Sequence, residues 1–101
     1  PERAVHRLTG EIADFLGIDA GHLEVGRRAD LVVVDPEALD DRLDEITEEE
    51  MVGMPDLQRL VRRHDDCVPA VVVNGRVAWL DGAFAPGFGD RRGFGRVLRA
   101  G

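Results

Sequence analysis

Three histidines, His6, His22 and His64, are the side chains of this 101-residue chain best suited to bind a metal ion. No two of them have the short spacing that places two imidazoles side by side on a helix to chelate zinc. The sequence therefore predicts no metal ligands and no cofactor-binding residues within this chain.

The chain also offers little for nucleophilic catalysis. It contains no serine and one cysteine, Cys67, which precedes Val68 and Pro69 at the edge of a predicted buried strand. A thiol in such a position is more often a small core residue than a nucleophile, and a partner base is missing. We therefore predict no catalytic residue and a core role for Cys67.

Carboxylates are abundant, but their pattern indicates structure rather than catalysis. The acidic run between positions 44 and 50 lacks the spaced oxygen ligands and the glycine of a calcium loop. A solvated helix face is therefore favoured over a site for calcium or a basic partner. Asp30 and Asp35 flank a predicted core strand, where turn and cap roles are favoured over an acid/base pair.

Composition restricts the classes of partner. A formal charge of −7 makes the surface acidic, which disfavours nucleic-acid binding. No apolar run approaches the ~20 residues that span a bilayer, and residues 1–4 show no apolar signal region, so no membrane association is predicted. A single cysteine favours a reducing cytoplasm. The missing initiator methionine predicts that these residues begin inside a larger protein.

Residues 1–20 are predicted to be helical. Apolar residues recur there at three- and four-residue spacing, which places them on one face of one helix or of two short consecutive helices. These residues are Val5, Leu8, Ile12 and Phe15. Thr9 is predicted to cap the second piece and Gly17 to end it.

Residues 21–82 are predicted to form a β domain. Residues 21–26 alternate as in an edge strand or a tight turn, and residues 31–34 form an apolar run typical of a strand buried on both faces. Its predicted neighbour is the strand at residues 71–73. The Asn74-Gly75 pair that follows predicts a hairpin with a two-residue turn.

Within this domain the insertion at residues 36–66 is predicted to be helical. Pro36 begins the first helix, and Leu57, Leu60 and Val61 recur at the spacing of a second.

The glycine-rich residues 83–101 are predicted to form an irregular docking tail, because their glycines have the wrong spacing for a phosphate cradle. The fold class is therefore α+β, with a helical segment, a small β-sandwich sheet that carries a helical insertion, and a tail.

The order of these segments resembles the C-terminal end of the amidohydrolase superfamily, in particular its N-acyl-D-amino-acid deacylase (D-aminoacylase-like) branch. The matching pieces are Leu8-Thr9 with Ala13 and Leu16-Gly17, residues 21–36, Val71-Val72-Val73-Asn74-Gly75, and Gly95-Arg96-Val97-Leu98-Arg99. The last piece favours the deacylase branch. Two features depart from the family pattern: Ala20 stands where an arginine is frequent, and the connection at residues 36–66 is longer than usual.

The resemblance implies a metal-dependent hydrolase with a TIM-like barrel, whose metal ligands lie at the barrel mouth, and a small β-sandwich built from both chain ends. Residues 1–20 would be the last barrel helix. None of the barrel's ligands matches a position here, so the divalent metal, zinc, would belong to the parent enzyme, and this chain alone is predicted to be inactive. Its predicted partners are the missing barrel and N-terminal strands of the parent.

Three functions stay open at this point, and the least favoured is a self-contained small enzyme that uses carboxylates, because the acidic residues look solvated. The first is the non-catalytic C-terminal portion of an amidohydrolase that acts on N-acyl-D-amino acids. The alternative is a stand-alone acidic binding or oligomerisation module with the same fold and no activity. In isolation, the unpaired sheet edges of such a chain predict a homo-oligomer or a strand swap.

Overall fold

The computed structural model describes all 101 residues as two short helices, a sheet and a separate hairpin. The helices are α1 (Glu2–Leu8) and α2 (Gly10–Leu16), and the strands are β1 (Leu31–Val33), β2 (Thr47–Met51), β3 (Met54–Val61), β4 (Ala70–Val73), β5 (Arg76–Leu80) and β6 (Ala83–Phe84). The antiparallel sheet has the order β1-β4-β5-β6, and β2 pairs with β3. The predicted α+β class is confirmed.

The N-terminal segment consists of two consecutive helices, one of the two predicted alternatives. Gly17 ends α2 as predicted, since its φ of 64° lies in the left-handed region. The predicted cap at Thr9 is wrong. Its hydroxyl instead donates to the carbonyl of Val5 at 2.7 Å, because the last carbonyls of α1 have no partner within the helix.

The hairpin at Asn74-Gly75 is confirmed. Both residues have positive φ, 52° and 75°, as a two-residue turn between twisted strands requires. The ladder places Val71 opposite both Val32 of β1 and Trp79 of β5, so β4 is paired on both sides. Residues 24–27 form a tight turn, in which the Arg27 N–H donates to the Glu24 carbonyl at 3.0 Å.

The prediction that residues 31–34 are buried on both faces is wrong for this chain. Val32 and Val33 are 55% and 46% exposed. The reason is that β1 forms one edge of the sheet and no other element covers it. Only five residues of the chain are buried, and they are all small: Gly10, Ala13, Ala38, Cys67 and Ala78.

The helical prediction for the insertion is also wrong. Its first part forms two 3-10 turns, Pro36–Ala38 and Asp41–Asp44, rather than an α-helix. Asp35 and Asp40 each accept a hydrogen bond from the backbone N–H two residues later, at 3.0 Å. Such side-chain turns compete with continued α-helix.

The second part of the insertion is the β2–β3 hairpin in place of the predicted helix at residues 57–61. Gly53 turns the chain at φ 79°, and Asp56 has a φ of 72°, which an α-helix cannot contain. Glu49 then pairs with Arg59 across the ladder. Residues 57 and 61 share one face of a strand as well as of a helix, so their apolar spacing does not distinguish the two structures.

The prediction of an irregular segment over residues 83–101 is wrong at Ala83 and Phe84, which form strand β6 on β5, and residues 85–101 contain no helix or strand. The phenylalanines of the tail form an aromatic row on β5. Trp79 meets Phe84 edge-on at 5.0 Å between ring centroids, and Phe84 stacks on Phe88 at 5.3 Å. The tail thus covers part of its own aromatic surface. The division of the chain at residues 20 and 82 stays a prediction.

We expect Gly75→Ala to lower the free energy of unfolding by about 1 kcal/mol, because a Cβ at positive φ is strained. No atom lies within 4 Å of the added Cβ, so the cost is that of the backbone alone. Gly95→Ala is the control, since its Cβ would make an ordinary 3.6 Å contact with Val73 and its φ is not positive. Urea unfolding measures both variants, and equal losses would contradict this account.

Candidate docking surface

The structure does not bring the three histidines together. His22 Nε2 lies 2.7 Å from Asp14 Oδ1, whereas His6 and His64 lie beside other carboxylates at 3.8 and 3.7 Å. No group of three histidine, cysteine, aspartate or glutamate side chains is placed to hold a metal ion.

Cys67 and the two strand-flanking aspartates have the structural roles that were predicted. Cys67 is buried, and its thiol donates to the His64 carbonyl at 2.8 Å. Asp35 caps the 3-10 turn that follows β1. Asp30 accepts the backbone N–H of Asn74 at 2.6 Å, which joins the start of β1 to the hairpin turn.

The basic turn before β1 is fixed by the same carboxylate. The guanidinium of Arg28 is only 5% exposed, lies 3.5 Å from Asp30, and donates through Nε to the carbonyl of Asp19. Arg28 therefore connects the end of the helical segment to Asp30, and Asp30 connects it to the hairpin. This long-range role is not evident from the sequence, because Asn74 is 44 residues from Asp30.

A second set of contacts holds the two helices against residues 21–22. Gly21 packs so closely on the α1–α2 junction that a Cβ there would lie 2.7 Å from the Thr9 carbonyl. Its φ of 77° also favours glycine. Together with the Asp14–His22 contact, this packing fixes where the helix pair stands relative to the sheet.

The acidic run is largely exposed as predicted, but Glu48, Glu49 and Glu50 lie on strand β2 rather than on a helix, and Asp44 ends a 3-10 turn. Its charges are partly paired within the chain: Asp44 with Arg62, and Glu49 with Arg63. Because side chains alternate between the two faces of a strand, the glutamates do not converge. The arrangement is that of a solvated, internally paired surface.

Asp40 was not singled out from the sequence, yet it has the strongest electrostatic shift in the chain. The side chain of Arg42 donates to both of its carboxylate oxygens, at 2.6–3.0 Å, and the Arg42 backbone N–H donates as well. These hydrogen bonds lower the pKa of Asp40 from 3.8 to about 2. The signal that could have found it is an aspartate two residues before an arginine at a turn.

Apolar surface without a cover is the dominant feature of the molecule. The outer edge of β1 has no partner strand, and Val32, Val33 and Val34 are all about half exposed. On the helices, Leu8 and Phe15 are 77% and 88% exposed, and no residue of α1 is buried. We call the free β1 edge and the adjoining helix face the docking surface.

A groove of about 630 Å³ separates α1 from the sheet and joins the two parts of the docking surface. Val5 and Leu23 line one side of it, and Val32, Val34 and Val71 line the other. The groove is apolar and holds no convergent set of acid, base and nucleophile. Its chemistry suits the burial of another apolar element rather than catalysis.

Comparison with known proteins identifies the family of this chain. Residues 1–78 match the amidohydrolase family. This chain belongs to the amidohydrolase family. The match covers the helices, β1, the insertion and most of the hairpin at Asn74-Gly75, so the superfamily resemblance is confirmed.

The relatives of this amidohydrolase-family chain are much longer. The uncharacterized proteins Rv2913c of Mycobacterium tuberculosis and Mb2937c of Mycobacterium bovis are each 45% identical to it over 104 residues. These matches cover 99% of this chain but 17% of each relative. No solved structure matches the chain. Neither helix is long and apolar enough to cross a membrane.

We expect the 101 residues in isolation to sediment as a dimer or larger species, because an unpaired apolar strand edge pairs with another copy. Val32→Lys should shift this population toward monomer, since a charged edge blocks such pairing. Val52→Lys is the matched control at the exposed hairpin tip. A wild-type chain that stays monomeric at high concentration in analytical ultracentrifugation would contradict the prediction.

The lowered pKa of Asp40 predicts an acid-dependent loss of stability. Since the pKa falls from 3.8 to about 2 on folding, the contribution is complete above pH 4 and is lost as the pH falls toward 2. Asp40→Asn should therefore lose less stability than the wild type over this range. Asp41→Asn removes a neighbouring charge that has no ion pair and is the control. Thermal unfolding against pH measures the difference, and parallel curves for all three would refute the prediction.

Proposed function

We propose that this chain is the non-catalytic C-terminal portion of a longer, metal-dependent amidohydrolase that hydrolyses the amide bond of N-acyl-D-amino acids. The observation that carries the proposal is the unpaired outer edge of the half-exposed strand β1 in a chain of the amidohydrolase family. The chain spans about one-sixth of the curated relatives it matches, which leaves ample polypeptide to cover this surface.

The sheet needs a second layer to become stable. Sheets bury at least one face against another element, and this sheet has exposed valines and leucines with none packed over them. Complete burial of a half-exposed valine contributes about 1 kcal/mol. Strands from the N-terminal part of the parent would supply both a partner for β1 and the missing layer.

The two helices also expose apolar side chains that no other element covers. Their exposed apolar face fits the last helix of a barrel, which packs against the barrel strands and neighbouring helices. The contacts at Gly21 and His22 would then set the angle between the barrel and the sheet. In this proposal the chain acts as a structural connection between the two parts of the enzyme.

The catalytic step would take place outside these residues. A bound divalent metal, zinc in this proposal, polarises an amide carbonyl and activates a water molecule. In this chain no three histidine, cysteine, aspartate or glutamate side chains come together as a metal site would need. The substrate class is supported by the terminal Gly95-Arg96-Val97-Leu98-Arg99, and a cytoplasmic location is supported by the single, buried thiol of Cys67.

The test is to isolate the native polypeptide from its source with an antibody against residues 21–36, whose Val25 is fully exposed. We expect a species larger than the 11.1 kDa chain by at least a barrel, about 250 residues. It should release amino acid from N-acyl-D-amino acids faster than from the L-enantiomers, and a chelator should abolish this activity.

A species of about the mass of this chain would contradict the proposal and indicate the stand-alone acidic module instead. A large species that prefers another amide would keep the structural part and overturn the substrate. The matched N-acyl-L-amino acids therefore test the substrate class. The mass of the native polypeptide tests separately whether these residues belong to a longer enzyme.

A further inference from the structure

The β2–β3 hairpin stands apart from the rest of the molecule. No other helix or strand of the chain packs against β2 or β3. A two-stranded hairpin without a packing partner is at best marginally stable in water. We call residues 46–61 the arm. The proposed function gives no role to the arm, because the docking surface lies at β1 and on the helices.

One face of the arm is both apolar and acidic. Side chains alternate along a strand, and the ladder places Glu48 opposite Leu60, so these two residues lie on the same face. Glu50 follows on that face, and Leu60 is 74% exposed. Glu49, on the other face, is paired with Arg63, whereas Glu48 and Glu50 have no ion pair within the chain. This face therefore presents free carboxylates beside an apolar side chain.

The tail at residues 83–101 carries the opposite charge. Its four arginines and one aspartate give a charge of +3, whereas the four carboxylates and one arginine of the arm give −3. All four arginines are exposed, and only Arg96 has an ion pair within the chain. Val97, the next residue, is 82% exposed. The tail thus presents free cations beside an apolar side chain, which complements the face of the arm.

We propose that the arm of each full-length polypeptide docks on the tail of a second copy, so that two copies form a dimer. A two-fold interface requires that each surface meet its counterpart in both directions, and the arm and the tail supply such a pair. In this dimer Glu48 and Glu50 face the arginines of the tail, and Leu60 packs near Val97. The proposal goes beyond the proposed function, since it concerns assembly of the longer polypeptide.

The charges favour a second copy over other occupants. No ion pair joins the arm to the tail within one copy, so both surfaces are available. A nucleic acid or an acidic protein would neutralise the tail and leave the arm uncovered, whereas a second copy covers both. The charge of −7 on each copy opposes association at a distance, but physiological salt screens it beyond about 8 Å. At the contact itself, opposite charges meet.

Sedimentation equilibrium of the full-length polypeptide tests the proposal through the Kd of the dimer. Glu48→Arg with Glu50→Arg sets cations against the tail at both contacts and should raise the Kd about 100-fold. Arg91→Glu with Arg92→Glu should raise it by a similar factor. The four substitutions together restore opposite charges and should return the Kd to within about tenfold of the wild-type value.

Glu37→Arg with Asp41→Arg is the matched control, because it makes the same change in net charge at two exposed residues outside the arm. It should not weaken the dimer. Pairing at the β1 edge does not depend on the substituted residues of the arm and the tail, so the two kinds of contact are distinguished. Circular dichroism of each variant verifies that it is folded.

The other outcomes overturn the inference. A wild-type polypeptide that stays monomeric at high concentration refutes the dimer, and a dimer that neither pair of substitutions weakens refutes the assigned surfaces. If the four substitutions together do not restore the dimer, the arm does not meet the tail. A monomer whose melting temperature falls in the arm variants shows that another part of the same polypeptide covers the arm. None of these outcomes alters the mass and the substrate preference that test the proposed function.

Discussion

Main-chain pairing of β1 with β4 is the interaction on which the rest of the structure depends. It joins strands that are separated by a long insertion, and it is fixed at both ends by further hydrogen bonds. Asp30 accepts the Asn74 N–H at one end, and the Asp35 N–H donates to the Cys67 carbonyl at the other, at 3.0 Å. The entropy cost of closing a loop grows slowly with its length. The long insertion between β1 and β4 therefore adds little to the cost of pairing them.

This pairing uses one edge of β1 and leaves the other free, and the aromatic row of the tail covers only part of the sheet. The buried residues are small, and the large apolar side chains lie at surfaces. The proposed function assigns the cover to other parts of a longer polypeptide, since the relatives in this family are much longer than the chain. The free β1 edge and the exposed helix face are both apolar surfaces that no element of the chain covers.

The sequence predicts those parts of the fold whose conformation depends on adjacent residues. Asn74-Gly75 predicts its hairpin because positive φ at two successive residues is a property of the turn itself. Gly17 predicts the end of α2 for the same reason. The roles of Asp30 and Asp35 were also predictable, since aspartates beside a strand commonly accept hydrogen bonds from backbone N–H groups.

The sequence does not predict those parts of the fold that depend on contacts between distant residues. Strand β2 contains three glutamates, which are poor strand formers, and its pairing depends on arginines that follow it in β3 and beyond. Residues 31–34 are half exposed because no element of the chain packs over them, which their apolar composition does not indicate. Nε2 of His64 is buried without a hydrogen-bond partner because of the residues packed around it, and no spacing in the sequence indicates this packing.

The most direct test of the central claim is amide hydrogen exchange at residues 31–34, compared between the full-length polypeptide and the isolated chain. If a partner strand and a second layer cover β1, exchange there slows by about 100-fold or more in the full-length protein. Equal exchange rates in the two would mean that β1 is a free edge in the native molecule and that nothing docks on it.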